Sequence, residues 1–261
     1  MTLTKNKGLM KKIVVLLAFF TFALTATAQE EPLRFGFQLS PTFSWMTANT
    51  NRINSSGTNL GIKVGMIGEF YFADNYAFTS GIGFAFNHGG TLQHERAGCY
   101  WDRSDLGLSQ SFYDSTAMCY KLPEGVKLQY KIQYLEIPFG LKMSTRDFGY
   151  ISYFLEPMLT LGIKTQANGS VEGRGIGNDA EKVNIKKEVN SINLSYGLNV
   201  GAEYSISENT SLVGGLGIQV GFTDVTQDGD PVESPDTGQL DRQDNSTGQN
   251  TNLIIRLGIM F

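Results

Sequence analysis

Only two histidines occur in the 261 residues, His88 and His94, and Ser104, Ser109, Ser111 and Asp114 follow them. A serine nucleophile needs an imidazole base held against it by a defined local frame, and no Gly-x-Ser-x-Gly elbow surrounds any of these serines. The spacing predicts no catalytic set, hence a non-enzymatic chain. Both histidines are expected to be solvated at the start of a long loop. A second group of chemically able residues is acidic: Asp224, Asp228, Asp230, Glu233, Asp236, Asp241 and Asp244 lie in 223–250 against one base, Arg242. Carboxylates ligate hard cations, but Asp228-Gly229-Asp230 is too short to order ligands as an EF-hand loop does. A solvated acidic loop is expected, with no bound metal and no cofactor.

The remaining charges recur at every second position, which turns attention to the elements that carry them. Period-two alternation of apolar and polar residues runs through most of the chain after residue 32 and marks strands. In 33–46 the odd positions are Leu33, Phe35, Phe37, Leu39, Pro41, Phe43 and Trp45, and the even ones include Arg34, Gly36, Gln38 and Ser40. The same pattern recurs over 58–72, from Tyr76 to Phe86, and over 127–143, 151–164, 192–204, 212–222 and 253–261. In the fourth segment the apolar residues move from Leu128, Tyr130, Ile132 and Tyr134 to Leu135, Ile137, Phe139 and Leu141. That change of phase predicts a β-bulge near Tyr134. Pro138 beside it requires a bulge or a lost ladder bond. Connections alternate between short (73–75, 144–148, 207–209) and long (47–57, 88–126, 166–188, 223–250).

An address precedes the strands. Lys5, Lys7, Lys11 and Lys12 lead into an apolar run from Ile13 to Leu24, and Ala26-Thr27-Ala28 supplies small residues at the exit. This predicts a signal peptide over residues 1–28 and a mature domain over 29–261. Losing those four lysines takes the formal net charge from −4 to −8. Such a balance gives no footprint for nucleic acid.

Which face meets water decides the class. The polar face is small, dominated by Gly61, Gly65, Gly81, Gly83, Gly197, Gly201, Gly215, Gly217 and Gly221, while the other carries large aromatics. Eight strands enclose a space only wide enough for side chains, so the bulky face must point outward into lipid. The expected fold is therefore all-β: an eight-stranded antiparallel up-and-down transmembrane β-barrel with four long extracellular loops and short periplasmic turns. Phe261, ending an alternating strand, fits that class. Arg34, Lys63, Glu69, Glu136, Lys142, Glu156, Lys164, Glu203 and Arg256 would then share the lumen and pair there, because an unpaired buried charge is costly. Cys99 and Cys119, in the second long loop of an exported chain, are expected to form a disulfide.

The stretch Tyr134-Leu135-Glu136-Ile137-Pro138-Phe139-Gly140-Leu141-Lys142 resembles the motif of PorT-family outer-membrane β-barrel proteins of the Bacteroidetes type. The resemblance implies a small outer-membrane barrel whose partners are the lipid bilayer and an envelope or secretion-system protein. A structural or binding role follows as the leading expectation, with loops engaging an envelope partner or external ligand. A subunit of a secretion or gliding assembly, a small-solute channel and a lipid-modifying enzyme are the alternatives.

Overall fold

A computed structural model describes residues 33–176, 182–227, 229–234, 239–240, 242–243 and 245–261; the expected signal peptide lies outside them. Eight long strands form the fold. They are β1 (Leu33–Ala48), β2 (Ile53–Ala73), β3 (Tyr76–His94), β4 (Lys127–Ser144), β5 (Ile151–Glu172), β6 (Ile192–Ser207), β7 (Thr210–Gly221) and β8 (Gly248–Met260). Each pairs antiparallel with its chain neighbours, and β1 pairs with β8, so the eight make a ring. A ring satisfies every strand's backbone donors and acceptors within the sheet, which lipid requires.

The outward face is apolar and bare. Phe35, Phe37, Leu60, Phe78, Leu159 and Leu216 are each more than half exposed. A belt of such residues around a closed sheet faces hydrocarbon, since water would drive it into association. Leu159 lies near the middle of the apolar stretch of β5, opposite Phe139 and Tyr196. Leu159→Arg is expected to destabilise the folded barrel by about 2–4 kcal/mol, and Gln166→Arg, on the same strand above the belt, by less than about 1. Denaturant unfolding in lipid vesicles measures both, and equal costs would contradict the placement of the lipid face.

Strands of up to 22 residues are twice what a tilted crossing needs. β2 to β5 therefore rise beyond the belt, and this changes what their alternation means. In β4 the inward residues stay at even positions from Leu128 to Tyr134 and on to Lys142, with no bulge of its own. The ladder does break register at the step from Gln133 to Tyr134, where a bulge was expected, but the extra residues sit in the two neighbouring strands. β3 shifts register between Ala85 and His88, with Asn87 at φ 59°, and β5 passes Thr165 opposite the step from Gln133 to Tyr134. Apolar side chains change sides along β4 because the solvent does. Low in the barrel lipid is outside and polar groups are inside; higher up, water is outside and an apolar core is inside. Pro138 leaves a gap in the β3–β4 ladder between Ser80–Phe139 and Gly83–Glu136, with the same register on both sides.

The periplasmic turns are short, at residues 74–75, 145–150 and 208–209. Of the four connections at the other end, the first shrinks to residues 49–52 (L1), because β1 and β2 extend through most of 47–57. The others are L2 (95–126), L3 (173–191) and L4 (222–247). L2 has structure of its own, a short hairpin pairing Tyr113–Asp114 with Cys119–Tyr120.

Candidate functional site

Inward positions of the strands bring four cations and four carboxylates together in the lumen. Lys142 Nζ lies 2.7 Å from Glu69 Oε1 and also binds Glu203; Arg34 reaches Glu203 Oε2 at 3.3 Å. Lys63 pairs with Glu136 at 2.7 Å, and Arg256 with Glu156. The network is neutral, and neutral hydrogen-bonding groups complete it. Tyr71 donates to Glu69 Oε2 at 2.9 Å, Thr79 to Glu156 Oε1 at 2.6 Å, Asn199 to Glu156 Oε2 at 3.0 Å, and Gln219 to Ser195 Oγ at 2.6 Å. Phe154 stands between Lys142 and Arg256, each 5.3 Å from its ring centre. Gly201 leaves room for that ring, since a Cβ there would lie 2.7 Å from Phe154 Cζ. Pairing of this completeness repays desolvation that isolated charges could not meet.

Lys164 does not join the network. It sits where β5 changes phase, and its Nζ donates to the carbonyls of Lys186 and Val189, tying L3 to the barrel rim. The neutral members, Tyr71, Thr79, Asn199, Ser195 and Gln219, were not among the expected network residues, and Tyr71 and Gln219 show what could have found them. An aromatic on the otherwise small face at 71 was the available signal for the first, and the alternation of β7 for the second.

Above the ion pairs the interior turns apolar. Met46, Leu92, Leu128, Ile132 and Tyr134 fill it from the strands, while Trp101, Leu106, Leu122, Ile185, Val189 and Val225 come down from L2, L3 and L4. Trp101 is central: its Nε1 donates to Tyr130 Oη at 3.0 Å, with the two rings 5.1 Å apart and perpendicular. Gly169 makes this possible, because a Cβ there would lie 2.4 Å from Trp101 Cη2. L2 also bonds to L4, Cys99 N donating to Pro231 O at 2.8 Å. The three loops thus make one packed cap.

Cys99 and Cys119 are joined in a disulfide, Cα atoms 5.8 Å apart. Closing that ring stabilises the cap by about 3 kcal/mol in the chain-entropy picture. A non-reduced tryptic digest is expected to contain the two peptides linked; ready alkylation of both thiols without reductant would contradict it.

Both histidines depart from expectation. β3 runs on to His94, so His88 and His94 lie on a strand rather than in a loop, 1% and 4% exposed. Burial pushes the His94 imidazole down to about 3, so it is neutral at physiological pH. The serines nearby serve other partners: Ser104 donates to Glu188 at 2.8 Å, Ser109 and Ser111 bond each other, and Asp114 accepts from Thr116 and Ala117 to close the hairpin turn.

The acidic loop divides. Asp228, Asp236, Asp241 and Asp244 lie outside the described residues. Asp224 accepts from the amides of Thr226 and Gly248, and Glu233 pairs with Lys121 at 3.7 Å. Asp230 is buried instead of solvated. It meets Asp102 of L2 and Glu188 of L3, a carboxylate oxygen from each lying within 4.8 Å of the others. Burial, then the neighbouring Asp102 and Glu188 charges, push the Asp230 carboxyl up to about 7 against the hydrogen bond from Trp101 N, and burial raises Glu188 as well.

A family model described as outer membrane protein beta-barrel domain matches residues 27–227. No curated protein sequence matches the chain. Among solved structures, Neisserial surface protein A is 10% identical, with 87% of this chain and 95% of that one covered and a TM-score of 0.41. The outer membrane protein OprG of Pseudomonas aeruginosa is 9% identical at the same coverages, TM-score 0.40. A major outer membrane protein of Thermus thermophilus is 14% identical, covering 86% and 98%, TM-score 0.40.

Proposed function

The chain belongs to the outer membrane protein β-barrel domain family, and from that premise we propose that it is a sealed, non-enzymatic barrel whose cap binds an external ligand or an envelope partner. It resides in the outer membrane as a multi-pass barrel. The observation that carries the reading is the stapled hairpin of L2, which holds Met118 at 78% and Tyr113 at 41% exposure on a fixed frame beyond the lipid belt. Exposed apolar side chains on an ordered surface outside lipid mark a contact site. A groove of about 380 Å³ between L1, L2 and L4, lined in part by Asn49, Arg52, Arg96 and Asn245, adds a polar surface beside it.

The non-enzymatic part rests on the burial of both imidazoles, which leaves no histidine to serve a solvent-facing nucleophile. The finer PorT-type reading rests on the stretch from Tyr134 to Lys142. Tyr134, Glu136 and Lys142 are spent on the barrel interior, so the motif favours no particular partner.

A photo-crosslinking residue placed at Met118 in cells is expected to give an adduct of defined mass. The same residue at Asp147, exposed in a periplasmic turn, is the control. No adduct at Met118, or adducts equal at both sites, would contradict the proposal.

A further inference from the structure

We propose that Asp102, Glu188 and Asp230 form a binding site for one calcium ion, which clamps L2, L3 and L4 together beneath the cap surface. The site is independent of whatever the outer face of the cap binds. Three loops far apart in sequence each contribute one carboxylate, with an oxygen of each inside a 4.8 Å sphere of the others. Two oxygens on one calcium ion lie at most about 5 Å apart, given bonds of about 2.3–2.6 Å, so one ion can touch all three.

Burial gives the second and independent observation. Glu188 is 2% exposed and Asp230 7%. One oxygen of each is already satisfied: Ser104 Oγ donates to Glu188 Oε1, and Trp101 N to Asp230 Oδ2 at 3.1 Å. The other oxygen of each, Glu188 Oε2 and Asp230 Oδ1, is buried with no hydrogen-bond partner among the described residues. His94 lines the same cavity as Glu188 and Asp230, and neither of its ring nitrogens has a partner there either. Three orphaned polar side chains around one cavity call for a guest that donates to acceptors. Water alone would satisfy the hydrogen bonds but not the charge. Arg103 lies 3.9 Å from the solvent-side Asp102 and gives its Nη1 to Gln227 Oε1 at 2.9 Å. A hydrated calcium ion supplies both: charge to the carboxylates directly, and water hydrogens to the remaining acceptors. Hard oxygen donors from irregular loops suit calcium, whose coordination is adaptable.

The full chain, folded in detergent and stripped with EDTA, is tested by equilibrium dialysis against calcium and by terbium luminescence sensitised through Trp101, the residue next to Asp102. One calcium per chain is expected, half-saturating between about 0.1 and 1 mM as in extracellular modules, and calcium should quench the terbium signal by displacement. Glu188→Gln and the solvent-side Asp102→Asn should each weaken binding about tenfold or more, while Glu233→Gln, elsewhere on the cap, should leave it unchanged. The proposal is overturned if folded wild-type protein binds no calcium at 10 times the upper end of that range, about 10 mM, a result that does not depend on any variant folding. It is equally overturned if both site variants bind as tightly as wild type.

Discussion

Lys142→Met is expected to destabilise the barrel by about 3–5 kcal/mol, the cost of removing one partner from a buried ion pair. Lys142 is 1% exposed and is shared between Glu69 and Glu203. Without it, two buried carboxylates face each other with Arg34 as the cation left to serve them, 4.0 Å from Glu69 and 3.3 Å from Glu203, and only the Tyr71 hydroxyl added on Glu69. Methionine fills much of the volume, so the loss isolates charge from packing. Adding Glu69→Gln should recover part of the cost, because the surviving carboxylate then keeps Arg34 to itself and the couplings within one network are not additive. Urea unfolding in lipid vesicles reads both variants. Wild-type stability in the single variant would mean that the lumen charges are solvated, and with it that the barrel carries a continuous water column.

Trp101→Ala is expected to cost the cap about 3–5 kcal/mol, as removal of a fully buried aromatic does. The indole is 1% exposed and is held by Tyr130 above Gly169. Its backbone sits at φ 59°, a conformation that costs a non-glycine residue about 1–3 kcal/mol and persists only where packing over-determines it. Emptying the pocket therefore removes the reason for the strained turn as well as the contacts. The damage should stay local: limited proteolysis should cut L2, L3 and L4 in the variant while heat-modifiable migration on gels remains. Unchanged protease resistance would show that the loops are held by something other than this core.

Much of the barrel was legible in the chain. Alternation marked all eight strands, and the small face foretold which charges would meet, because period two assigns residues to faces regardless of context. It does not say what lies beyond each face. That is why the bulge at Tyr134 was assigned to its own strand and not to the neighbours, and why His88 and His94 read as loop residues: the strands continue past the lipid, where inside becomes apolar and outside becomes wet. Lys164 was misplaced for the related reason that it stands at the phase change of β5, where counting by twos stops working. The meeting of the acidic trio had no sequence signal. Positions 102, 188 and 230 are brought together by three separate connections, and only Asp230 stood among the acids whose clustering was visible.

In the proposed role the lumen is sealed twice, by ion pairs in the membrane and by the apolar core above them, which leaves the cap as the working surface. Conductance of the purified protein in planar lipid bilayers separates a sealed barrel from a channel without any mutation. Insertion verified by protease protection with no stepwise ion current is the expected result; steady, protein-dependent conductance steps would contradict it.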